Sequence, residues 1–293
     1  MDISASPQAA TKEGKPSVST GTQGAAPRPS LKESVGLTLR NGVKYIPLLQ
    51  NLIARELKKK YRSSVLGYVW CVLNPLLVMI IMTVVFSRMF DRNISNYPVY
   101  LFCGRMFYSV LTGGCSGMMK AFVSNRDLIH KTRVPYYVFP LANFCSTFVD
   151  FFFTLIAFAI VMIFTGCPVS IHLVAFPLVV LEAALFTFGL GLLLSIANLF
   201  VRDVNYIWTA FTVAWLYITP VFYPMENLSE EMQYIIGTFN PLYWLVAQCR
   251  NVVLDHVWPD PVLMGRTLVV SAILCVLGLL AYAKSRNNIV LYV

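Results

Sequence analysis

The sequence predicts an all-α integral membrane protein with six transmembrane helices, an N-terminal amphipathic interface helix and two short re-entrant outer helices. The first observation is composition: hydrophobic residues make up 57% of the 293 residues and charged residues 13%, about half the charged share of soluble domains. The second is a series of apolar runs of about 20 residues, the length of a spanning helix. The third is a basic amphipathic stretch that leads through Gly67 into the first apolar run.

The N-terminal residues 1–34 are rich in Ser, Thr, Pro, Gly and Ala and show no apolar periodicity. We expect them to form a disordered cytoplasmic tail, and they lack the apolar core of a cleaved signal peptide. Residues 35–293 are expected to form one transmembrane domain.

The first predicted helix runs from Tyr45 to Tyr61. An apolar stripe opposite a basic face is typical of a helix that lies in the membrane interface, and an ordinary solvated charged helix is the alternative. The apolar face carries Tyr45, Leu49, Leu52, Ile53, Leu57 and Tyr61, and the polar face carries Gln50, Asn51, Arg55, Lys58, Lys59 and Arg62.

Six spans are predicted after this helix. Lys and Arg concentrate in the tail, in the first helix, after the second span and at the C-terminal end. The positive-inside rule therefore places both termini in the cytoplasm. The spans are Val69–Phe90, Val99–Phe122, Val138–Phe164, Leu173–Phe200, Ile207–Val221 and Thr267–Ala283.

The apolar segment Leu242–Leu254 is too short to cross the membrane. We expect it to enter and leave on the outer side, because a crossing there would put Lys284 and Arg286 outside. Before it, Asn227 and Glu230 have the spacing of a capping box for a short helix ending near Thr238. Asn240-Pro241 then predicts a turn.

No enzyme pattern occurs in the chain. It has no P-loop with which to bind ATP, no G-x-S-x-G and no H-E-x-x-H, so no catalytic or cofactor-binding residue is predicted. The seven cysteines form no Cys-x-x-Cys pair and the three histidines are far apart, so we expect no metal site. The net charge of +9 is attributed to loops facing anionic membrane lipids, and nucleic-acid binding is not expected.

Three ionisable residues lie inside the predicted spans: Arg105, Asp150 and Glu182. Intramembrane charges are functional candidates because they are costly to insert. We expect Arg105 to pair with Glu182, since both lie about 10–13 Å from the outer ends of their spans at the rise of an α-helix. Separate charges facing a wet cavity are the alternative.

Aromatic residues are dense near the outer ends of the second and fifth spans and within the third. They are typical of interfacial belts and lipid-facing packing; a stacking surface for sugar rings is the sharper alternative. Five glycines are expected to allow close helix packing: Gly113, Gly114, Gly117, Gly189 and Gly191.

The cytoplasmic segment Asn125–Pro140 mixes charges with apolar residues and is closed by two prolines. A short helix there would present charged residues to the cytosol, as in docking onto a soluble partner. An unremarkable charged loop is the alternative. The exposed residues would be Arg126, Asp127, His130 and Lys131.

Four separated motifs, spread over about residues 36–292, resemble the membrane subunit of type-2 ABC exporters of bacterial surface polysaccharides, such as O-antigen, capsule and teichoic acid. The first runs from Arg55 to Leu76 and contains Tyr61-Arg62-Ser63-Ser64 and Asn74-Pro75. The other matching residues are Leu128-Ile129-His130-Lys131 with Pro135 and Phe139-Pro140-Leu141, then Arg202-Asp203-Val204, and finally Thr219-Pro220-Val221-Phe222-Tyr223-Pro224 with Asn240-Pro241 and Arg250.

The resemblance implies a homodimer with a channel between its subunits and two copies of a separate ATPase that binds ATP and Mg. It further implies that Tyr45–Tyr61 is the gate helix, that Asn125–Arg133 inserts into the ATPase, and that the outer short helices form an extracellular gate. The implied substrate is an undecaprenyl-pyrophosphate-linked glycan. The candidates for steering the pyrophosphate are Arg55, Lys58, Lys59, Lys60 and Arg62, and those for lining the channel are Tyr100, Phe107, Tyr108, Phe211, Trp215 and Tyr223.

The sequence departs from the family pattern at Gly104-Arg105-Met106-Phe107. Members of the family usually carry tryptophan at the position of Phe107, within an uncharged motif. Two other functions remain open: a type-2 ABC exporter of a drug or small lipid, and an integral membrane enzyme of glycan assembly. The short loops and scattered polar residues argue against the enzyme.

Overall fold

The computed structural model describes residues 45–61, 66–90, 94, 96–131 and 134–292, so the predicted tail and Arg62 lie outside the described residues. All regular secondary structure within these ranges is helical, and short 3₁₀ turns precede three of the α-helices. The helices are α1 (Ile46–Tyr61), α2 (Trp70–Phe90), α3 (Tyr97–Ser124), α4 (Arg126–Lys131), α5 (Val138–Phe164), α6 (Phe176–Phe200), α7 (Val204–Ile218), α8 (Glu230–Phe239), α9 (Pro241–Val253), α10 (Pro261–Ser285) and α11 (Ile289–Tyr292).

The six predicted spans correspond to α2, α3, α5, α6, α7 and α10. Among the described residues, four helical stretches are long and apolar enough to cross a membrane: Gly67–Ser87, Val138–Phe164, Ile171–Phe200 and Pro261–Ser285. Helix α3 has 28 residues, more than a span needs, but Arg105 and several hydroxyl residues lower its hydropathy. The chain is therefore an all-helical integral membrane protein, as predicted.

Helix α7 is the shortest of the six, with 15 residues. It stops at Ile218 because Pro220 has no backbone N–H and disfavours the helical conformation of the residue before it. Thr219 is accordingly extended, with φ −78° and ψ 132°. The predicted end of this span at Val221 is wrong for that reason.

Helix α10 begins at Pro261, six positions before the predicted start at Thr267. The carboxylate of Asp260 caps it by accepting a hydrogen bond of 2.8 Å from the Val262 amide. Proline in the first turn and an aspartate cap are both strong helix-start signals. The pair Asp260-Pro261 therefore carried the information that hydropathy alone missed.

Helix α3 occupies the centre of the bundle and packs against α5, α6 and α9, while α6 packs along α10. The contact between α6 and α10 depends on glycine: a Cβ at Gly189 would lie 2.6 Å from the backbone nitrogen of Cys275. Gly114 and Gly191 similarly leave no room for a side chain beside Thr187 and Met118. The packing role predicted for glycines is confirmed at these three positions, whereas Gly113 faces open space.

Helices α8 and α9 form the two short outer helices. Asn240 begins α9 and contacts the outer end of α7, because its amide oxygen accepts a hydrogen bond of 2.8 Å from the Trp215 indole. At the other end of α9, the Val253 carbonyl lies 3.9 Å from the sulfur of Cys167, just beyond the outer end of α5. Both ends of α9 are therefore on one side, which confirms the re-entrant arrangement.

The cap predicted for α8 is wrong in detail. Asn227 lies inside a 3₁₀ turn, Met225–Asn227, and so does not cap the helix. The N-cap position belongs to Ser229, and α8 then runs from Glu230 to Phe239.

Candidate functional site

The apolar stripe of α1 packs against the protein. Leu52 is buried, and Tyr45, Leu48, Leu49 and Ile53 join it in a cluster with residues of α4 and α5. The polar face is open, since the side chains of Lys58, Lys59 and Lys60 are exposed. The predicted division of this helix into an apolar and a basic face is confirmed.

The basic residues of α1 fall into two groups. Arg55 donates a hydrogen bond to the side-chain oxygen of Asn125, at the C-terminal end of α3, and pairs with Glu56 at 2.9 Å. Lys60 forms an ion pair with Asp150. Within the described part of the chain, Lys58 and Lys59 form neither a hydrogen bond nor an ion pair. Lys58 and Lys59 are therefore the cations that remain available to an anionic ligand.

The Lys60–Asp150 pair places the end of α1 beside the middle of α5. Asp150 lies about twelve residues after the start of α5, which corresponds to about 18 Å along a helix. The two side chains line a cavity of about 160 Å³ together with Ser109, Gly113 and Thr147. The basic face of α1 thus leads from the end of α3 to a polar cavity among α3 and α5.

The predicted docking segment forms helix α4. Arg126, Asp127, His130 and Lys131 are all exposed, and Ile129 is buried and anchors the helix beneath them. Asn125, immediately before α4, also caps α3 by donating a 2.8 Å hydrogen bond from its side chain to the Ala121 carbonyl. Because Arg55 binds the same amide group, α1 and α4 are linked through Asn125.

The loop between α7 and α8 is held in place by side chains that donate hydrogen bonds to its carbonyl groups. Arg250, from α9, donates hydrogen bonds of 2.9 Å and 3.0 Å to the carbonyls of Pro220 and Val221. Its guanidinium lies 3.4 Å from the centre of the Tyr100 ring, a cation–π geometry. The Tyr100 hydroxyl in turn donates a 2.9 Å hydrogen bond to the Tyr223 carbonyl. The outer end of the bundle is therefore rigidly connected to α3.

Only part of the aromatic set predicted to line a channel is accessible. Phe107 is fully buried between Phe151 and Phe176, so its placement on a channel wall is wrong. Tyr108 and Trp215 are also buried, with 9% and 8% exposure, and bind polar groups of neighbouring segments.

The remaining aromatic candidates are Tyr100, Tyr223 and Phe211. Tyr100 and Tyr223 are half-buried at the outer loop, and Phe211 is exposed. Burial raises the pKa of Tyr223, so its hydroxyl stays protonated and donates a 2.7 Å hydrogen bond to the Tyr217 carbonyl. Phe211 is thus the predicted channel residue whose ring is most open.

The predicted pair of Arg105 and Glu182 does not form. Glu182 is completely buried between α6, α9 and α10, and accepts a 3.0 Å hydrogen bond from the side-chain amide of Gln248. The guanidinium of Arg105 lies instead 5.2 Å from the centre of the Tyr108 ring. The prediction fails because α9 supplies the partner of Glu182, and no local pattern shows which face of that re-entrant helix turns toward α6.

Three functional contacts could not be found from the sequence. The partners of Lys60, Arg55 and Glu182 are Asp150, Asn125 and Gln248, which are 90, 70 and 66 positions away along the chain. The one available signal was that a carboxylate inside a span requires a partner, and it does not say which.

Comparison with known proteins decides the family. A family model described as ABC-2 type transporter matches residues 47–254, from the start of α1 to the residue after α9. The chain belongs to the ABC-2 type transporter family. The match covers α1, α4 and the re-entrant helices α8 and α9 of this ABC-2 transporter domain in one stretch.

Two individual relatives within this family are similar to the chain over most of its length. The chain is similar to the O-antigen export system permease protein RfbA of Myxococcus xanthus, with 30% identity over 237 residues, covering 80% of this chain and 91% of that protein. It is also similar to the protein of the same name from Klebsiella pneumoniae, with 30% identity over 209 residues, covering 71% of this chain and 80% of the relative. This ABC-2 transporter thus spans most of the length of both relatives.

Proposed function

We propose that this chain is the transmembrane subunit of an ATP-driven exporter that moves a polysaccharide on an undecaprenyl-pyrophosphate carrier across the cytoplasmic membrane of a bacterium. The observation that carries the proposal is the similarity to O-antigen export permeases over 80–91% of their length. The exposed Lys58 and Lys59 on α1 support it, because cationic side chains bind pyrophosphate through charge-assisted hydrogen bonds.

The energy source in this proposal is a separate ATPase that holds ATP and Mg. Helix α4 is its docking site, since four charged or titratable residues point outward above the buried Ile129. A movement of α4 would reach α1 through Asn125, which both caps α3 and accepts a hydrogen bond from Arg55. The helix that receives the substrate would then respond directly to the ATPase.

The transport path in this proposal lies between two copies of the chain, each served by one ATPase. The exposed face of α7, which includes Phe211 and Tyr217, supports such an interface because aromatic rings can pack against a second subunit or against sugar rings. Both termini are placed in the cytoplasm, on the side of α1 and α4, where the basic residues concentrate.

Deletion of the gene in its own organism tests the proposed function. We expect the surface glycan to disappear and the completed lipid-linked glycan to accumulate on the cytoplasmic side. Re-expression of the wild-type chain should restore export, and a variant with tryptophan at Asp127 should not.

Two other results would point to other functions. Normal surface glycan together with new sensitivity to a drug would favour a small-molecule exporter. Loss of the completed glycan, with shorter precursors accumulating in its place, would favour an enzyme of glycan assembly.

A further inference from the structure

One face of α3 is both open and polar, which is unusual for a membrane helix. Arg105, Ser109 and Gly113 follow one another at four-residue spacing and therefore form a stripe along one side of the helix. Arg105 is half-buried, and Ser109 and Gly113 are exposed. By contrast, the exposed residues of α5 include Phe152 and Ile156, as expected for a surface that contacts lipid.

The stripe borders a groove made of two connected cavities. The inner cavity contains the Lys60–Asp150 pair, and the outer cavity, of about 90 Å³, contains Arg105 and Asn74. Both are lined by Met106, Ser109 and Thr154, so they are successive parts of one groove between α2, α3 and α5. Arg105 lies about eight residues, or about 12 Å, from the outer end of α3.

Arg105 has no carboxylate partner in the part of the chain that the structure describes. The two ion pairs there are Arg55–Glu56 and Lys60–Asp150. The ring of Tyr108 stabilises the charge of Arg105 but accepts none of its five N–H donors. An arginine at this depth is costly to insert, so it calls for an anionic ligand.

An apolar cavity lies beside the outer part of this groove. It has a volume of about 410 Å³, is formed by α2, α3 and α5, and shares Met79 with the Arg105 cavity. Its lining is apolar except for Thr83 and Thr165. A cationic site that adjoins an apolar cavity fits a ligand with an anionic head and a hydrocarbon chain.

We propose that Arg105 binds the pyrophosphate group of a prenyl-pyrophosphate-linked substrate inside the membrane, with the first isoprene units in the apolar cavity between α2 and α5. This inference rests on the proposed function and adds a second anion site beyond the basic face of α1. The planar guanidinium binds phosphate oxygens through two parallel hydrogen bonds. Asn74 and Ser109 supply further donors along the groove.

Binding of farnesyl pyrophosphate to the full-length chain in phosphatidylcholine nanodiscs tests the inference. We expect Arg105→Met to bind at least about tenfold more weakly than the wild type, the usual effect of losing a charge-assisted hydrogen bond, and Arg105→Lys to be intermediate. The control is Arg266→Met, at an exposed arginine near the outer end of α10, which should bind like the wild type. Farnesol and inorganic pyrophosphate should each bind more weakly than farnesyl pyrophosphate. Farnesol fills only the apolar cavity, and pyrophosphate fills only the cavity that contains Arg105.

The possible failures are distinguishable. Wild-type affinity in Arg105→Met would overturn the Arg105 site and leave the proposed function intact, since Lys58 and Lys59 would then account for the binding. Equal competition by phosphatidylglycerol would also overturn the site, because Arg105 would be a general contact for anionic lipids. Absence of binding by the folded wild type would count against the carrier-linked substrate and the site together.

A cysteine variant keeps the test valid if Arg105→Met does not fold. Ser109→Cys places a thiol at the exposed edge of the groove, and Ser229→Cys places one at the outer N-cap of α8 as a control. Farnesyl pyrophosphate should slow labelling of the first thiol by a charged reagent about tenfold at saturation and leave the second unchanged. Unaltered labelling of Ser109→Cys while farnesyl pyrophosphate is bound would overturn the site.

Discussion

Lys60, in the last turn of α1, forms an ion pair with Asp150 in the interior of α5. The two residues are 90 positions apart in the chain. The pair fixes the end of the basic helix beside the groove that leads to Arg105. Because the side chain of Asp150 is only 22% exposed, its carboxylate would be left as a poorly solvated charge if Lys60 were removed, whereas the more exposed ammonium of Lys60 would lose mainly its ion pair.

We therefore expect Lys60→Met and Asp150→Asn each to lower stability by about 1–2 kcal/mol, between the values typical of exposed and of buried pairs. The double variant should be more stable than the sum of the two changes predicts, because it leaves no unpaired charge. Thermal unfolding of the detergent-solubilised chain measures both effects. Lys59→Met is the matched control and should leave the melting temperature unchanged; additive single effects would show that the two residues are not coupled.

Lys58 and Lys59 are expected to act on the substrate rather than on stability. Their side chains are exposed, and neither has a partner among the described residues. The double variant Lys58→Gln/Lys59→Gln should reduce glycan export by about tenfold, the effect of losing a charge-assisted contact. The rate of export in cells is measured beside the amount of assembled complex, which should not change.

Arginine at the same two positions provides the control, because it keeps the charge and should retain export. Full export in the doubly neutral variant would mean that these lysines contact only lipid headgroups.

Helix α4 is expected to carry the ATPase. Tryptophan at Asp127 or His130 adds bulk to an exposed surface and should abolish co-purification of the ATPase without lowering the melting temperature of the chain. Ile129→Ala should do the reverse and destabilise the chain, because Ile129 is 3% exposed. Tryptophan at Glu231, exposed on the outer helix α8, is the control. Undiminished ATPase binding by the Asp127 and His130 variants would place the docking surface elsewhere.

The contact between α6 and α10 can be tested with a single methyl group. Gly189→Ala would place Cβ 2.6 Å from the backbone nitrogen of Cys275, and backbone cannot move aside as a flexible side chain can. We expect a loss of about 1–3 kcal/mol, the range for overpacking. Gly265→Ala, in the same pair of helices but with open space around it, should be neutral or stabilising because alanine favours helix. Equal melting temperatures for the two variants would contradict the close approach.

Much of the fold could be predicted from local patterns. The positions of the six long helices, the two faces of α1 and the exposure of Arg126, Asp127, His130 and Lys131 all follow from hydropathy, periodicity and charge. Each of these signals depends on residues that are close together in the chain, so it can be recognised in a single sequence. The start of α10 at Asp260-Pro261 was also readable as a cap, although hydropathy concealed it.

The site was less predictable because it depends on which face of each helix turns inward. Phe107 and Arg105 are two positions apart on α3, yet Phe107 is fully buried while Arg105 borders the groove. Since α3 packs against α5, α6 and α9, apolar residues cover most of its circumference, and hydropathy alone does not show which side stays open. The hydrogen-bond partners of the buried polar residues could not be predicted either. Glu182 binds Gln248 because the re-entrant helix α9 lies beside it.

Arg250 is expected to be the most sensitive single residue of the outer end. It is 8% exposed, donates hydrogen bonds to the carbonyls of Pro220 and Val221, and stacks on Tyr100. Arg250→Met should therefore cost at least about 2 kcal/mol, because two buried carbonyl groups lose their donors. Arg250→Lys should recover only part of this, since an ammonium group cannot serve both carbonyls and the ring with the same planar geometry.

Thermal unfolding measures the loss. The control is Arg266→Met, because Arg266 is exposed and its hydrogen bond to the Gly237 carbonyl is long, at 3.3 Å. Tyr100→Leu should remove the ring but leave both hydrogen bonds, so its effect should be smaller than that of Arg250→Met. If Arg250→Met and Arg266→Met had the same melting temperature, the outer loop would not depend on the guanidinium. A wild-type melting temperature for Arg250→Lys would instead show that charge alone suffices and that the planar geometry contributes nothing.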